Sequence, residues 1–449
     1  MSLPAGPRAP APVQTAQWVF RPIELMERCA RRYGDIFTLR VAGVGKALFV
    51  SNPDAIKQIF TSKPDAMRAG ESNSFLAPVV GNRSVLVLDG PQHMRQRKLM
   101  LPPLHGQRMA GYEGLIADVT ERELEHWPAG KPFSLRPHTQ EITLEVIMRA
   151  VFGVEDADRL ADLGGRLKRF METGTGRRWV ATLLPALQRR FGTDRSPWAQ
   201  FEAARARVDE LLYEEIRSRR HAPDLAERED ILSLLLQARH EDGSSMSDEE
   251  LRDELMTLLV AGHETTATAL AWAFELLLKN PSTLARLQGE LATGSEEYLD
   301  AVIKETLRIR PVLPIVGRIL TEPMSLMGYD LPARTMIAPC IYLTHHRPDV
   351  YPEPYRFRPE RFLEAQPDTY SWLPFGGSVR RCVGASFAMF EMKVVIPAVL
   401  RRFALRPGSA APERMRRRAI TFVPEHDALV VAEQRGKRLG ALDRALTAA

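Results

Sequence analysis

Between Ser247 and Pro281 the chain offers one long helix a start and, for more than thirty residues, no stop. Ser247 with Glu250 forms an S-x-x-E capping box, and the next strong terminator is the Asn280-Pro281 pair. The spacing predicts a helix of about 33 residues, ~50 Å at 1.5 Å per residue. Its stretch Leu255 to Leu278 is apolar on nearly every side, and a helix of that kind has to be buried. A membrane span is a poor alternative, since His263, Glu264 and Glu275 interrupt the ~20 clean apolar residues a span needs. The helix is therefore expected to run through the core of a large globular unit. With 449 residues, 45% of them hydrophobic and 26% charged, the chain is long enough to build one.

Inside this helix "AGHETT" breaks the rules that the rest obeys. Gly262 costs roughly 1 kcal/mol against alanine, and threonine is a mediocre helix former. A carboxylate such as Glu264 must there be paired, protonated or turned toward a wet cavity. Close helix packing at Gly262 and a buried partner for Glu264 would explain each residue singly. Several local rules failing together point to a functional site. "HETTA" begins like the H-E-x-x-H zinc motif, but Ala267 stands where the second histidine would be, so no two-imidazole face exists.

Around the long helix the pattern is mainly α with small β-sheets. "IFTLRV" and "ALFVSN" read as a hairpin joined by "AGVGK". Helical spacing recurs at 91–100, near 111–127, 139–152, 200–220 and 228–240, with "METGTGRRW" as an interruption. A further helix, Glu296 to about Ile309, stops at Pro311, and a last one spans Gly384 to about Phe403 before strand-like "ITFVP" and "ALVVAEQ". No Gly/Ser linker or repeat divides the chain. It reads as an extended Pro-rich arm, 1–14, and one domain, 15–449. Cys29, Cys340 and Cys382 cannot build a disulfide framework, and the start lacks the pattern of a signal peptide, which points to the cytoplasm. The net charge of +5 is modest, and the arginine clusters lack the interleaved aromatics of a nucleic-acid platform.

Cys382 lies in "FGGSVRRCVG", between glycine turns and beside Arg380 and Arg381. A thiolate is favoured by nearby cations, by a helix N-terminus and by a metal. The arginines and the helix beginning near Gly384 offer the first two, and Phe375 could shield the sulfur. One cysteine cannot hold an iron–sulfur cluster, and C-x-x-C-H for covalent haem is absent. A non-covalent haem with one axial thiolate remains, as does a plain core cysteine, which leaves the flanking glycines unexplained. Glu305 and Arg308 in "KETLRIRP" share a helix face. Alone, such a pair is usually a solvated one.

Taken in order, "ERCARRYGDIFTLR", "LDGPQHMRQRKLMLPPLHG", "AGHETT", "KETLRIRP", "FRPERF" and "PFGGSVRRCVG" resemble the cytochromes P-450, most closely the soluble bacterial members, over nearly the whole chain. The resemblance implies the cytochrome P-450 fold, haem b, and a monooxygenase that hydroxylates a lipophilic molecule, such as a fatty acid or terpenoid, with O2. Cys382 would be the iron ligand. Arg380, His93, Arg97 and Arg318 would meet the haem propionates, with Phe375, Gly384 and Ala261 also at the cofactor. Glu264 and Thr265 would deliver protons, while Gly262 locally opens the helix. Glu305, Arg308 and Arg361 would form a buried ion network under the haem-binding core. Arg177 or Arg178 could anchor a substrate carboxylate. Without flavin, nicotinamide or iron–sulfur motifs, electrons would come from a ferredoxin and its reductase, steered to a monomeric enzyme by Arg95, Lys98 and Arg381. A peroxygenase, a hydroperoxide-rearranging enzyme or a haem sensor would not need the Glu264–Thr265 pair. One departure stands out: Ser378 occupies a position, four residues before the cysteine, where the family usually has glycine.

Overall fold

The computed structural model describes residues 3–106, 108–153, 156–175 and 196–435. Its longer helices are α1 (Ala11–Phe20), α2 (Pro22–Tyr33), α3 (Pro53–Thr61), α4 (Gly90–Met100), α5 (Glu113–Glu125), α6 (Leu135–Phe152), α7 (Ala157–Thr175), α8 (Pro197–Arg220), α9 (Asp248–Lys279), α10 (Pro281–Ala292), α11 (Glu297–Ile309) and α12 (Ala385–Arg402). Strands β1 (Ile36–Val41), β2 (Gly45–Val50), β3 (Met67–Arg68), β5 (Arg318–Leu320) and β8 (Met336–Pro339) make a sheet ordered β1-β2-β8-β5-β3. β4 (Pro132–Ser134), β9 (Phe403–Pro407) and β12 (Leu429–Gln434) make a second. β6 (Met324–Leu326) pairs with β7 (Tyr329–Leu331), and β10 (Met415–Arg418) with β11 (Thr421–Pro424).

α9 is the long helix, 32 residues, and its capping box is complete: the Glu250 amide donates to the Ser247 hydroxyl at 3.2 Å, and the Ser247 amide to the Glu250 carboxylate at 2.8 Å. It packs along α6, where the hydroxyls of Thr139 and Thr143 donate to the carbonyls of Ala267 (2.9 Å) and His263 (3.0 Å). Gly262 serves this approach, because a Cβ there would lie 3.2 Å from Ile147. The helix stays helical through Gly262, so the expected local opening is not present. Helix packing accounts for the glycine.

Two other expectations change. The Pro-rich arm is not extended to residue 14: α1 begins at Ala11, and the Gln14 amide donates back to the carbonyls of Pro7 (3.0 Å) and Ala9 (2.7 Å). Proline in a first helical turn costs no hydrogen bond. α7 covers "METGT", which the glycines had marked as a break, because Leu160, Leu163, Leu167 and Phe170 form one buried face despite Gly164 and Gly165. Arg177 and Arg178 lie outside the described residues.

Candidate functional site

Between Leu251 and Leu278 the burial of α9 lapses only from Val260 to Thr265, where Ala261 is exposed and Gly262, Glu264 and Thr265 are half-buried. Cys382 shows the same paradox. It presents exposed surface, yet so much protein surrounds it that desolvation pushes its thiol pKa up. A sulfur that is open to contact and yet largely desolvated sits on an internal surface. We read the lapse in α9 and the cysteine segment as the walls of one inward-facing cleft.

That segment is held from both ends. The Cys382 amide donates to the Phe375 carbonyl at 2.9 Å, and the Arg381 amide to the Ser378 carbonyl at 3.0 Å. Gly376 and Ser378 both have positive φ, 66° and 62°, so the serine does sit where glycine would be at ease. Gly377 is required for room, since a Cβ there would strike Phe60 at 2.4 Å. Phe375 itself stands edge-on to Trp372, at 6.2 Å between ring centroids.

The electrostatics at Cys382 differ from the expectation in two respects. Desolvation dominates and the net shift is upward; the Gly384 amide, then Arg97 and Arg381, pull the other way but do not win. The thiolate therefore needs a metal's charge as well as the protein's. Arg380 is also not one of its partners. Its guanidinium is spent on the carbonyls of Val85 (3.1 Å) and Leu88 and on the carboxylate of Asp89, which in turn accepts from the Gly70 and Glu71 amides at 2.8 Å.

The four basic residues expected near the propionates do lie within one another's fields. His93 is buried, and desolvation together with Arg380, Arg97 and Arg318 drives its pKa down to about 3, so it is a neutral donor and not a cation. Burial and then Arg380 push Arg318 down to about 10; it donates to the Gly317 carbonyl at 2.8 Å and stacks over Phe60. Of the three guanidinium groups only Arg380 pairs with a carboxylate, Asp89, whose field also reaches Arg318. Neither Arg97 nor Arg318 has an ion pair among the described residues. A buried surplus of positive charge beside a cleft-facing thiol fits a dianionic, metal-bearing macrocycle, and on this ground the residues present are suited to haem.

Glu264 is paired. Its carboxylate accepts from Arg136 at 3.2 Å and from Gln140 at 2.5 Å, both on α6. Arg136, nearly fully buried, also holds Asp427. The Thr265 hydroxyl donates to the Ala261 carbonyl at 2.7 Å. Thr266 points elsewhere, to Glu391 of α12, a carboxyl with no exposure whose pKa burial drives well up and whose Oε1 has no partner.

The ion network stands behind the cysteine segment. Glu305, wholly buried, accepts from Arg308 at 2.7 and 2.9 Å, from Arg361 at 3.2 Å and from the Arg358 amide at 2.9 Å. Arg308 reaches the His345 carbonyl at 2.6 Å, and His345 bridges onward: Nδ1 lies 3.0 Å from the Arg308 carbonyl, while Nε2 accepts from the Leu373 amide at 2.8 Å. His345 ties the network to the residues just before Phe375. Sequence reasoning missed His345, Arg136 and Glu391. Only Glu391, a carboxylate on the apolar helix after the cysteine, gave any signal.

Arg95 and Lys98, on the same helix as His93 and Arg97, are not free. Arg95 pairs with Asp242 at 2.8 Å and also meets Ser244, and Lys98 pairs with Glu241. Arg381 is exposed and has no ion pair among the described residues.

Comparison with known proteins agrees with this arrangement. The family model described as Cytochrome P450 matches residues 4–431. A Mycobacterium tuberculosis protein named as cytochrome P450 135B1 is 44% identical over 438 residues, covering 96% of this chain and 91% of that one. Another from the same organism, named as cytochrome P450 137, is 40% identical over 399 residues, covering 89% and 83%. Among solved structures, a retinoic-acid-bound cyanobacterial CYP120A1 superposes with a TM-score of 0.83 over 97% of this chain and 100% of that chain, at 23% identity. A mutant cytochrome P450DA haem domain superposes at 0.85 over 98% and 99%, at 22% identity. At such identities the two structures speak for the fold alone.

Proposed function

The chain belongs to the cytochrome P450 family and is a monooxygenase that uses thiolate-ligated haem b; from that premise we propose which residues do the work and on what kind of substrate. Cys382 would hold the haem iron through its sulfur. Arg97, Arg318 and the neutral His93 hold the propionates, with Arg380 fixing the strand of backbone beside them. The haem, when bound through a thiolate, supplies the reductive cleavage of dioxygen and the oxidation of a substrate C–H bond. The substrate is a lipophilic small molecule such as a fatty acid or terpenoid, and electrons come from an external ferredoxin with its reductase.

The protein's own task is to keep the cleft dry and to move protons across it. Glu264 suits that task because its side chain, though ion-paired, keeps 21% of its surface open to water. It takes up a proton at a carboxylate oxygen and gives it to a water, which Oγ1 of Thr265 orients toward the cleft by accepting a hydrogen bond from it. The hydroxyl's bond to the Ala261 carbonyl leaves its lone pairs free to accept that hydrogen bond. Arg136 and Gln140 hold the carboxyl in place, so they are positioning residues.

The observation that carries the reading is Cys382 itself: a desolvated thiol with Arg97 and Arg381 beside it, neither of them ion-paired among the described residues. Reduced, haem-loaded protein under carbon monoxide should give the strongly red-shifted Soret band of thiolate ligation, and Cys382→His should abolish it. A wild-type band at the histidine-ligated position refutes the ligand. Glu264→Gln and Thr265→Ala should keep haem and substrate yet divert electrons to peroxide and water. Unchanged product per reductant in both variants would refute the relay.

A further inference from the structure

We propose that α1, with the two hairpin turns beside it, docks the protein peripherally on an anionic phospholipid bilayer. α1 carries no charged residue, and its amphipathicity is inverted. Gln14 and Trp18 face inward, while Pro12, Val13, Ala16 and Phe20 form the outward stripe, Phe20 being 76% exposed and Val13 46%. Gln14 is satisfied inside, donating to Pro7 and Ala9 and accepting from the Arg40 amide. The apolar stripe is left to the outside.

Two turns extend it. The Ala42 amide donates to the Thr15 hydroxyl at 2.8 Å, which sets the β1–β2 turn, with exposed Val44, next to the helix. Arg417 donates to the carbonyls of Trp18 and Ala419, which does the same for the β10–β11 turn and exposed Ile420. The charge around them is of one sign. Residues 1–23, 36–50 and 414–424 contain no Asp or Glu, and the exposed Arg8, Arg21, Arg40, Lys46, Arg414 and Arg416 make no ion pair among the described residues. Arg40 and Lys46 are even direct cross-strand partners, like charges that an approaching anionic surface would draw on together.

Protruding apolar side chains ringed by unpaired cations match the two attractions of a lipid surface, burial at the acyl boundary and the negative headgroups. A second copy of the chain is a poor occupant, because a two-fold contact would set the same cations against themselves. Nucleic acid is another, since the outward stripe offers aliphatic groups and a single phenyl ring for stacking. Attachment is peripheral: no helix among the described residues is long and apolar enough to cross a membrane.

The test is co-sedimentation of the haem-loaded full chain with vesicles of phosphatidylcholine alone or with one-third phosphatidylglycerol. Binding is expected to the anionic vesicles only, weakening as salt rises. The double variant V13S/F20S and the double variant R40A/K46A should each lower the partition coefficient about tenfold or more. Both variants should keep the wild-type haem spectrum, which separates lost docking from lost folding. Wild-type protein left in the supernatant with anionic vesicles at low salt overturns the proposal. So does equal binding by V13S/F20S, or lipid-free self-association that V13S/F20S abolishes, which would assign the stripe to a second copy.

Discussion

Replacing Ser378 with glycine should stabilise the cysteine segment, against the usual direction of a glycine substitution. Ser378 has φ 62° and lies in the turn that ends four residues later at Cys382. An L-residue in that conformation carries about 1–2 kcal/mol of strain. Glycine removes the strain but adds about 0.5–1 kcal/mol of freedom to the open chain. The difference favours Ser378→Gly by about 0.5–1 kcal/mol. Nothing else offsets it, because the side chain is exposed and makes no hydrogen bond among the described residues, while the carbonyl that accepts from Arg381 is retained. Spread over the whole chain, this shifts Tm by only roughly 1 °C. The sensitive assay is local: amide exchange at Arg381 and Cys382, whose N–H groups close the segment, should slow about two- to fivefold. Ser378→Ala is the control, since it deletes the hydroxyl and keeps the strain. If Ser378→Gly and Ser378→Ala exchange alike, or if glycine speeds exchange, the positive φ is not a cost and the reasoning fails.

Arg308→Leu should destabilise by about 3–5 kcal/mol, because it leaves Glu305 buried with Arg361 as its one remaining cation; denaturant unfolding that shows less than about 1 kcal/mol would contradict this. Glu391 has a folded pKa well above 4.5, so its contribution is fully present below the ordinary carboxyl range and is lost as pH climbs toward the raised value. Glu391→Gln should accordingly flatten the fall in thermal stability between about pH 5 and pH 8, and an unaltered pH profile would show that the carboxyl is not buried neutral. Arg381→Glu should slow stopped-flow reduction by a small acidic ferredoxin more than Lys98→Glu does, since Lys98 already faces Glu241. Equal slowing by the two would mean that surface pairing does not decide the docking charge.

The elements that obey one period were legible. α9, α11 and α12 fall within a residue or two of their expected ends, because capping and proline signals bound long apolar runs. α7 was not, since Gly164 and Gly165 argue locally against a helix that only its buried face sustains. The cysteine segment was visible as a motif, and its strain could be named from Ser378 alone. Partners across the core could not be. Arg136 meets Glu264 over 128 positions of chain, and His345 joins the Arg308 carbonyl to the Leu373 amide through a fold that neither neighbour's sequence announces.

Charge shows most clearly why. A list of the chain's 61 lysines and arginines gives no order of importance, because a cation's effect depends on whether a carboxylate reaches it. Arg95, Lys98 and Arg380 stand beside the motifs and looked available, yet Asp242, Glu241 and Asp89 claim them. Arg97 and Arg318 are left without carboxylates among the described residues, and burial lowers the pKa of both, as it does for Arg310 and Arg417, which lie over the Trp272 and Trp18 rings; Arg97 alone of these feels the Cys382 sulfur. An anion arriving beside Arg97 and Arg318 would relieve the cost of that burial. The pairing pattern, more than the count of basic residues, therefore marks where the cofactor's carboxylates belong. The same reasoning separates the haem edge from α1, whose unpaired cations are solvated and cost little until a negative surface approaches.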